Sequence, residues 1–286
     1  MTSPRISVIT PSLNYGRFIE DAILSVAGQN YPSFEHIVVD GGSTDETLAT
    51  LRRYPHLRWI SEPDKGQSDA LNKGFRMSTG DLVGWLNADE YYLPGALHAV
   101  AEFAAAHPGA DVIYGDSIDV DEEGRVRRCT TAHSFVYPLL LYYGCFIQTD
   151  ATFFRRTLFE QRLLLDIDYR IVMDYEYFVR LARSNKRFHY IKRFLGAFRW
   201  HGSNMAFTHP ERKRKERLLV QHTWSAMKMP DHGYDTLAQL ARLYHVALKV
   251  LNGNYRSQLK ALRSRGSETR WFQNDEGRKT CATLLA

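Results

Sequence analysis

The chain has 286 residues, 44% of them hydrophobic and 13% aromatic, a composition that buries a core and excludes a disordered or fibrous chain. The net charge of +5 is uneven: residues 209–286 hold 15 Lys and Arg against 7 Asp and Glu, leaving 22 against 25 for residues 1–208. No apolar run reaches the roughly 18 residues of a spanning helix, no leader segment is read at the start, and Cys129, Cys145 and Cys281 lack CxxC spacing, which argues against a disulfide scaffold or thiolate zinc site and fits a reducing, cytoplasmic setting.

In chain order, "RISVITPSLN" reads as a strand and its loop, and Phe18, Ile19, Ala22, Ile23 and Val26 recur at helical spacing over residues 17–27. "HIVVDGGSTDET" is a second buried strand stopping at Asp40, and Ser43 with Glu46 predicts a capping box that starts a helix near Thr44. "LRWIS" is a third strand, "GQSDALNKGF" a helix, "DLVGWLN" a fourth strand, and "PGALHAVAEFAAAH" a helix with Pro94 in its first turn. This alternation predicts a mostly parallel sheet flanked by helices. In such sheets ligands bind beyond the carboxyl ends of the strands. Thr10, Asn14, Asp40, Asp64, Asn87 and Asp89 gather at those ends.

Beyond Asp111 the pattern changes. "DVIYGD" and "IDVDEEGRVRR" predict a strand and a hairpin turning at Glu122-Glu123-Gly124. "ATFFRRTLF" is a strand entering a helix, "MDYEYFVRLAR" a helix, and "FHYIKRFLGAFRWHG" strand-rich. From about Pro210 the chain reads as wholly helical. The boundaries expected are a catalytic domain over 1–208, with a nucleotide-binding half (1–110) and an acceptor half (111–208), and a basic helical extension over 209–286.

"VGWLNADEYY" drives an apolar strand into Asn87-Ala88-Asp89-Glu90. Carboxylates beside a core need a cation. With few His and no thiolate cluster, a hard ion, Mn²⁺ or Mg²⁺, is the fitting one, shared with substrate phosphates. The first turn, "PSLNYGRF", lacks GxGxxG, and no P-loop occurs. The chemistry suggested is transfer from a nucleotide-diphosphate compound.

"SVITPSLNYGRFIEDAILSVAGQNYPSFEHIVVDGGSTDET", "EPDKGQSDALNKGF", "GDLVGWLNADEYYLPGAL", "ATFFRRTLF" and "MDYEYFVRLA" together resemble the family 2 glycosyltransferases of GT-A fold, from about Arg5 to Asn204. The resemblance implies an α/β, Rossmann-like protein that moves a sugar, with inversion, from a nucleotide-diphosphate donor to an acceptor hydroxyl. The family's metal motif falls on Asn87-Ala88-Asp89, with Asn in place of the first Asp. Asp89 would ligate the metal, Asn87 would accept a hydrogen bond from ribose or metal-bound water, and Glu90 would add charge. Thr10, Pro11 and Asn14 resemble base and ribose contacts. Asp40 would contact the base, although Asp40-Gly41 replaces the common Asp-Asp and leaves uracil preference open; its other reading is a turn residue. Asp64, Lys65, Asp69, Asn72 and Lys73 form a polar row at a helix start, with Lys65 or Lys73 supplying the charge lost where Leu71 replaces an Arg.

Asp174 is the candidate general base, kept ionised by the helix N-terminus, with Met173 replacing the usual Glu. Glu176 is the reserve candidate. His201 would be a second metal ligand, Arg199 and Ser203 would meet the diphosphate, and Gln148 the sugar or acceptor. The alternatives are a non-catalytic nucleotide-sugar-binding protein, which Asn87 and Met173 keep open, and a nucleotidyltransferase, which would carry a Gly-rich loop after the first strand. The expected partners are the donor, a saccharide or lipid-linked acceptor of bacterial surface assembly, and no nucleic acid. The basic tail either docks at an anionic cytoplasmic membrane face or packs on the body or a second copy.

Overall fold

The computed structural model describes residues 3–254, 259 and 262–285. The first half runs β1 (Ile6–Ser12), α1 (Ile19–Ala27), β2 (Phe34–Asp40), α2 (Thr47–Arg52), β3 (Leu57–Ser61), α3 (Gln67–Met77), β4 (Leu82–Trp85), β5 (Tyr91–Tyr92) and α4 (Ala96–Ala106). The second adds β6 (Val112–Val120), β7 (Val126–Thr130), a π-helical turn (Leu139–Tyr143), a 3₁₀ turn (Thr149–Ala151), β8 (Thr152–Arg155), α5 (Thr157–Glu160), α6 (Met173–Arg183) and β9 (Phe188–Arg199). The tail carries α7 (Met205–Thr208), α8 (Pro210–Trp224), α9 (Asp231–Leu251) and α10 (Asp275–Leu285).

One sheet unites the chain, in the order β3-β2-β1-β4-β8-β6-β9-β5, with β7 beside β6. The pairs β1–β2, β1–β4, β2–β3 and β6–β9 are parallel; β4–β8, β6–β8, β6–β7 and β5–β9 are antiparallel. The sheet is therefore mixed, and its parallel character is concentrated in the first half. Alternation along the strands explains why it is covered on both sides. Ile9, Ile37, Val39, Val83 and Trp85 face one core with Leu71 and Phe75 of α3 and Phe178 of α6. Ile6, Val8 and Leu82 face the other with Ala22 and Val26 of α1 and Val100 of α4. Strands buried on both faces read as continuous apolar runs, which is why they were legible. Gly74 lets α3 lie close on β1: a Cβ there would stand 2.2 Å from Ile9 Cγ2.

Three local expectations change. α2 starts at Thr47, not Thr44, because the Ser43 hydroxyl is turned to the Asp40 carboxylate and Asp45 instead accepts from Thr47 N at 3.0 Å. Pro94 precedes α4, whose N-cap is Gly95 at φ 74°. The tail is not wholly helical: Arg125 and Glu268 form an antiparallel bridge, and Thr269 Oγ1 meets the Tyr91 hydroxyl at 2.7 Å. The tail also packs on the body where Val220 joins the α3/α6 core and where Cys281 and Leu284 join Tyr91 and Ile118.

Glu35, with 5% of its side chain exposed, braces the amino ends of the strands. Burial alone would raise its pKa, but hydrogen bonds from Ser7, Thr79 and Arg58 outweigh burial and bring it to about 2. Glu35→Gln is expected to destabilise the fold by about 1–3 kcal/mol at neutral pH in denaturant titrations. Because the folded pKa is depressed, this contribution is complete above the ordinary carboxylate range and is lost as pH falls toward about 2.

Candidate active site

The carboxyl ends of β1 and β4 open into a cavity of about 480 Å³, within the range of small-molecule sites. Its floor is the loop after β4. Leu86 N donates to Ile9 O at 3.0 Å, which carries the loop across the end of β1. Asn87 then folds the chain back. Its Oδ1 accepts from Gln67 Nε2 at 2.6 Å and Trp85 Nε1 at 2.7 Å, while its amide NH₂ and backbone N–H donate to Glu90 at 3.0 and 3.1 Å. Asn87 and Glu90 thus build the turn, and Asp89 carries the outward-facing charge.

Glu90 is buried, and burial together with Asp150 and Asp89 raises its pKa well above the ordinary value. Asp89 Oδ2 accepts from His201 Nε2 at 2.7 Å and from Asn204 Nδ2 at 3.4 Å. The His201 ring is held by Ser203 Oγ at 2.8 Å from Nδ1 and by the Phe18 ring at 4.9 Å. These contacts join the tip of β4 to the end of β9.

The opposite wall comes from the start of α6. Ser68 Oγ, in the first turn of α3, reaches Tyr169 O and Met173 Sδ, each at 3.3 Å, so the two helix starts meet at the cavity. Asp174 lines it. Its pKa is raised by burial, against the opposing pull of the Tyr175 N–H, Lys213 and the Cys145 thiol. This reverses the expectation that the helix terminus sets it low: loss of solvation is the larger effect. Val172 provides no side-chain cap to α6. Glu216 of α8 does so from outside, accepting from the backbone N–H groups of Arg170, Ile171 and Val172 at 3.2, 2.8 and 3.1 Å.

Of the residues expected at the site, Pro11, Asp64, Asn87, Ala88, Asp89, Glu90, Gln148 and Asp174 line the cavity. His201 and Ser203 stand behind Asp89. The others lie outside the cavity lining. Thr10 is buried against His36 Nε2 at 2.9 Å. Asn14, at φ 58°, accepts from Thr44 N. Asp40 holds its own turn, accepting from Gly42 N, Ser43 N and Ser61 Oγ at 2.7–3.0 Å, so the turn reading describes its contacts. Asn72 pairs twice with the Leu165 backbone at 2.9 Å. Lys73 pairs with Glu62 at 2.7 Å, and Lys65 is exposed outside the cavity lining.

Glu176 forms a fork with Arg180 in a separate hollow. Arg199 is 2% exposed, paired with Asp21 at 2.5 Å and donating to Glu122 O at 2.8 Å, so its charge is engaged away from the cavity. The cation that does line the cavity is Arg170, which sequence reasoning missed. Its guanidinium lies 2.0 Å from where a Cβ at residue 66 would stand, so a side chain there would push it aside, and the φ of 100° at Gly66 favours glycine. The glycine at a predicted helix start was the available signal.

The sheet order and the strand-tip acid define a GT-A-like α/β fold. Among solved structures it is similar to S. aureus TarS 1–349 in complex with UDP-GlcNAc, at TM-score 0.59 and 17% identity over 90% of this chain and 78% of that one. It is likewise similar to the mannosyltransferase PcManGT from Pyrobaculum calidifontis in complex with GDP-Man and Mn²⁺, at TM-score 0.59 and 18% identity over 99% and 86%. The description "Glycosyl transferase family 2" matches residues 7–163, and the chain belongs to that family. A PGL/p-HBAD biosynthesis glycosyltransferase of Mycobacterium bovis is 34% identical over 63% of this chain and 70% of its own length. A Mycobacterium tuberculosis glycosyltransferase is 32% identical over 64% and 71%.

Glu216→Gln is expected to weaken the cap on α6 and lower stability by about 1–3 kcal/mol in chemical denaturation, since a carboxylate shared by three backbone donors is replaced by a neutral amide.

Proposed function

We propose that the protein transfers a sugar, with inversion, from a nucleoside diphosphate donor, a uridine diphosphate sugar, to the hydroxyl of a saccharide or lipid-linked acceptor. The observation that carries this reading is the single cavity lined by Asp89 on one wall and Asp174 on the other. In this reading Asp89 would help hold a cation that offsets the charge of the leaving diphosphate, and Asp174 would serve the incoming hydroxyl as base. The relatives named as glycosyltransferases and the fold's likeness to proteins crystallised with UDP-GlcNAc and GDP-Man support it.

In this mechanism Asp174 takes the acceptor's proton as the hydroxyl oxygen bonds to the anomeric carbon from the face opposite the diphosphate. The bond from that carbon to the phosphate oxygen breaks, and the electron pair leaves with the nucleotide. Arg170, beside the start of α3, contacts the diphosphate. A divalent cation fits the donor set at the other wall. Among the described residues no group of three or more His, Cys, Asp or Glu is placed to hold a metal by itself. One carboxylate and one imidazole, completed by phosphate oxygens and water, is still a common arrangement for Mg²⁺ or Mn²⁺. Asp89 and His201 would hold it in place of their mutual hydrogen bond. When bound, such an ion neutralises charge on the departing diphosphate.

Asp174→Asn is expected to lower kcat by about 10²–10⁴-fold while donor binding by thermal shift persists. Asp89→Ala is expected to remove the stabilisation by donor plus Mn²⁺ as well as turnover. Equal turnover by the wild type and Asp174→Asn would overturn the assignment of the base. The pH profile gives a second check. Asp174 acts ionised and burial raises its pKa, so kcat/KM is expected to fall, as pH is lowered, at a pH above the ordinary aspartate value. Arg170→Ala is expected to raise the donor KM about ten-fold or more.

A further inference from the structure

α9 is apolar on two sides. One side meets the body: Tyr234 and His245 are buried, His245 Nδ1 lies 2.9 Å from His133 Nε2, and Ala241 and Leu248 pack against the main core. The other side faces water. Leu240, Leu243, Tyr244, Ala247, Val250 and Leu251 recur at i, i+3, i+4, i+7, i+10 and i+11, the spacing of one helical stripe, and all six are exposed. Leu243 is 70% and Leu251 81% exposed. A continuous apolar stripe of this length marks a contact surface rather than scattered surface leucines.

The charge around it selects the occupant. The segment 209–286 carries 15 Lys and Arg against 7 Asp and Glu. Arg242 is exposed within the stripe's own helix, and Lys213 and Lys215 are exposed on α8. α8 is tied to the first turns of α9 by Arg214 and Arg217 on Asp235 at 3.1 and 2.8 Å. A second copy docking by two-fold symmetry would bring two such cationic tails together. No helix among the described residues is long and apolar enough to cross a membrane. A long helix with an exposed apolar stripe and flanking cations suits the plane of an anionic lipid surface.

We propose that the exposed face of α9 docks this protein on the surface of an anionic lipid bilayer. α8, which is tied to the start of α9 through Asp235, also reaches the segment before α6 through Glu216.

The test is co-sedimentation of the full chain with phosphatidylglycerol/phosphatidylcholine vesicles and with pure phosphatidylcholine vesicles. The expected result is at least about ten-fold stronger partition onto the anionic vesicles, reduced by salt. Leu243→Ser combined with Val250→Ser and Leu251→Ser should lose about ten-fold or more of that partition while circular dichroism stays unchanged. Arg242→Glu with Lys215→Glu should weaken binding to anionic vesicles and flatten its salt dependence. Equal partition onto both vesicle types, or partition indifferent to these substitutions, would overturn the proposal. So would a wild-type dimer in sedimentation equilibrium that the triple Ser variant makes monomeric, because a second copy would then own the face. No donor is needed in the vesicle assay, so its outcome is independent of the sugar-transfer reading.

Discussion

A carboxylate delivered to the edge of a buried strand must find a partner or lose its charge. Asp89 and Glu90 show both outcomes side by side. Glu90 is driven toward the neutral form and is absorbed into the turn made by Asn87. Asp89 meets His201 and Asn204, which arrive from the far end of the chain. The site depends on this single meeting. It ties the end of β9 to the tip of β4 at the edge of the cavity. The substitution of Asn for a first Asp at position 87 is explained by the same geometry. The amide both accepts from Trp85 and Gln67 and donates to Glu90, and a carboxylate at that position could not donate.

β1, β2 and β4 were legible because both of their faces are buried and their apolar runs stop sharply at polar tips. The helices α3 and α6 were legible from spacing alone. The capping-box expectation failed because Asp40 accepts from both the Ser43 hydroxyl and the Ser43 backbone N–H, the groups the box would have used. The mixed sheet was less legible: β5 is only two residues long, and β8 inserts between β4 and β6 by long-range pairing that no local pattern encodes.

Among the strand-tip residues, Asp64, Asn87 and Asp89 line the cavity, whereas Thr10, Asn14 and Asp40 do not. Cations were not placed well by position along the chain. Arg199 lies in a conspicuous motif yet turns to Asp21, whereas Arg170 sits in an irregular segment and enters the cavity. Long side chains reach several ångströms in any direction, and the partner that decides between them is distant in sequence: Asp21 is 178 residues from Arg199. The pKa of Asp174 was misjudged for a related reason. A helix terminus is visible in sequence, but the depth of burial that outweighs it is a tertiary property.

The cap that α8 places on α6 has a consequence for any shortening of the chain. Glu216 supplies from the tail what most helices find in the residue next door. Cutting the chain after residue 208 would strip the three amide donors of their acceptor and remove Lys213 from the field around Asp174. The tail is for this reason not a detachable accessory. A chain without the tail would need another acceptor, from a side chain or water, for the amides of residues 170–172.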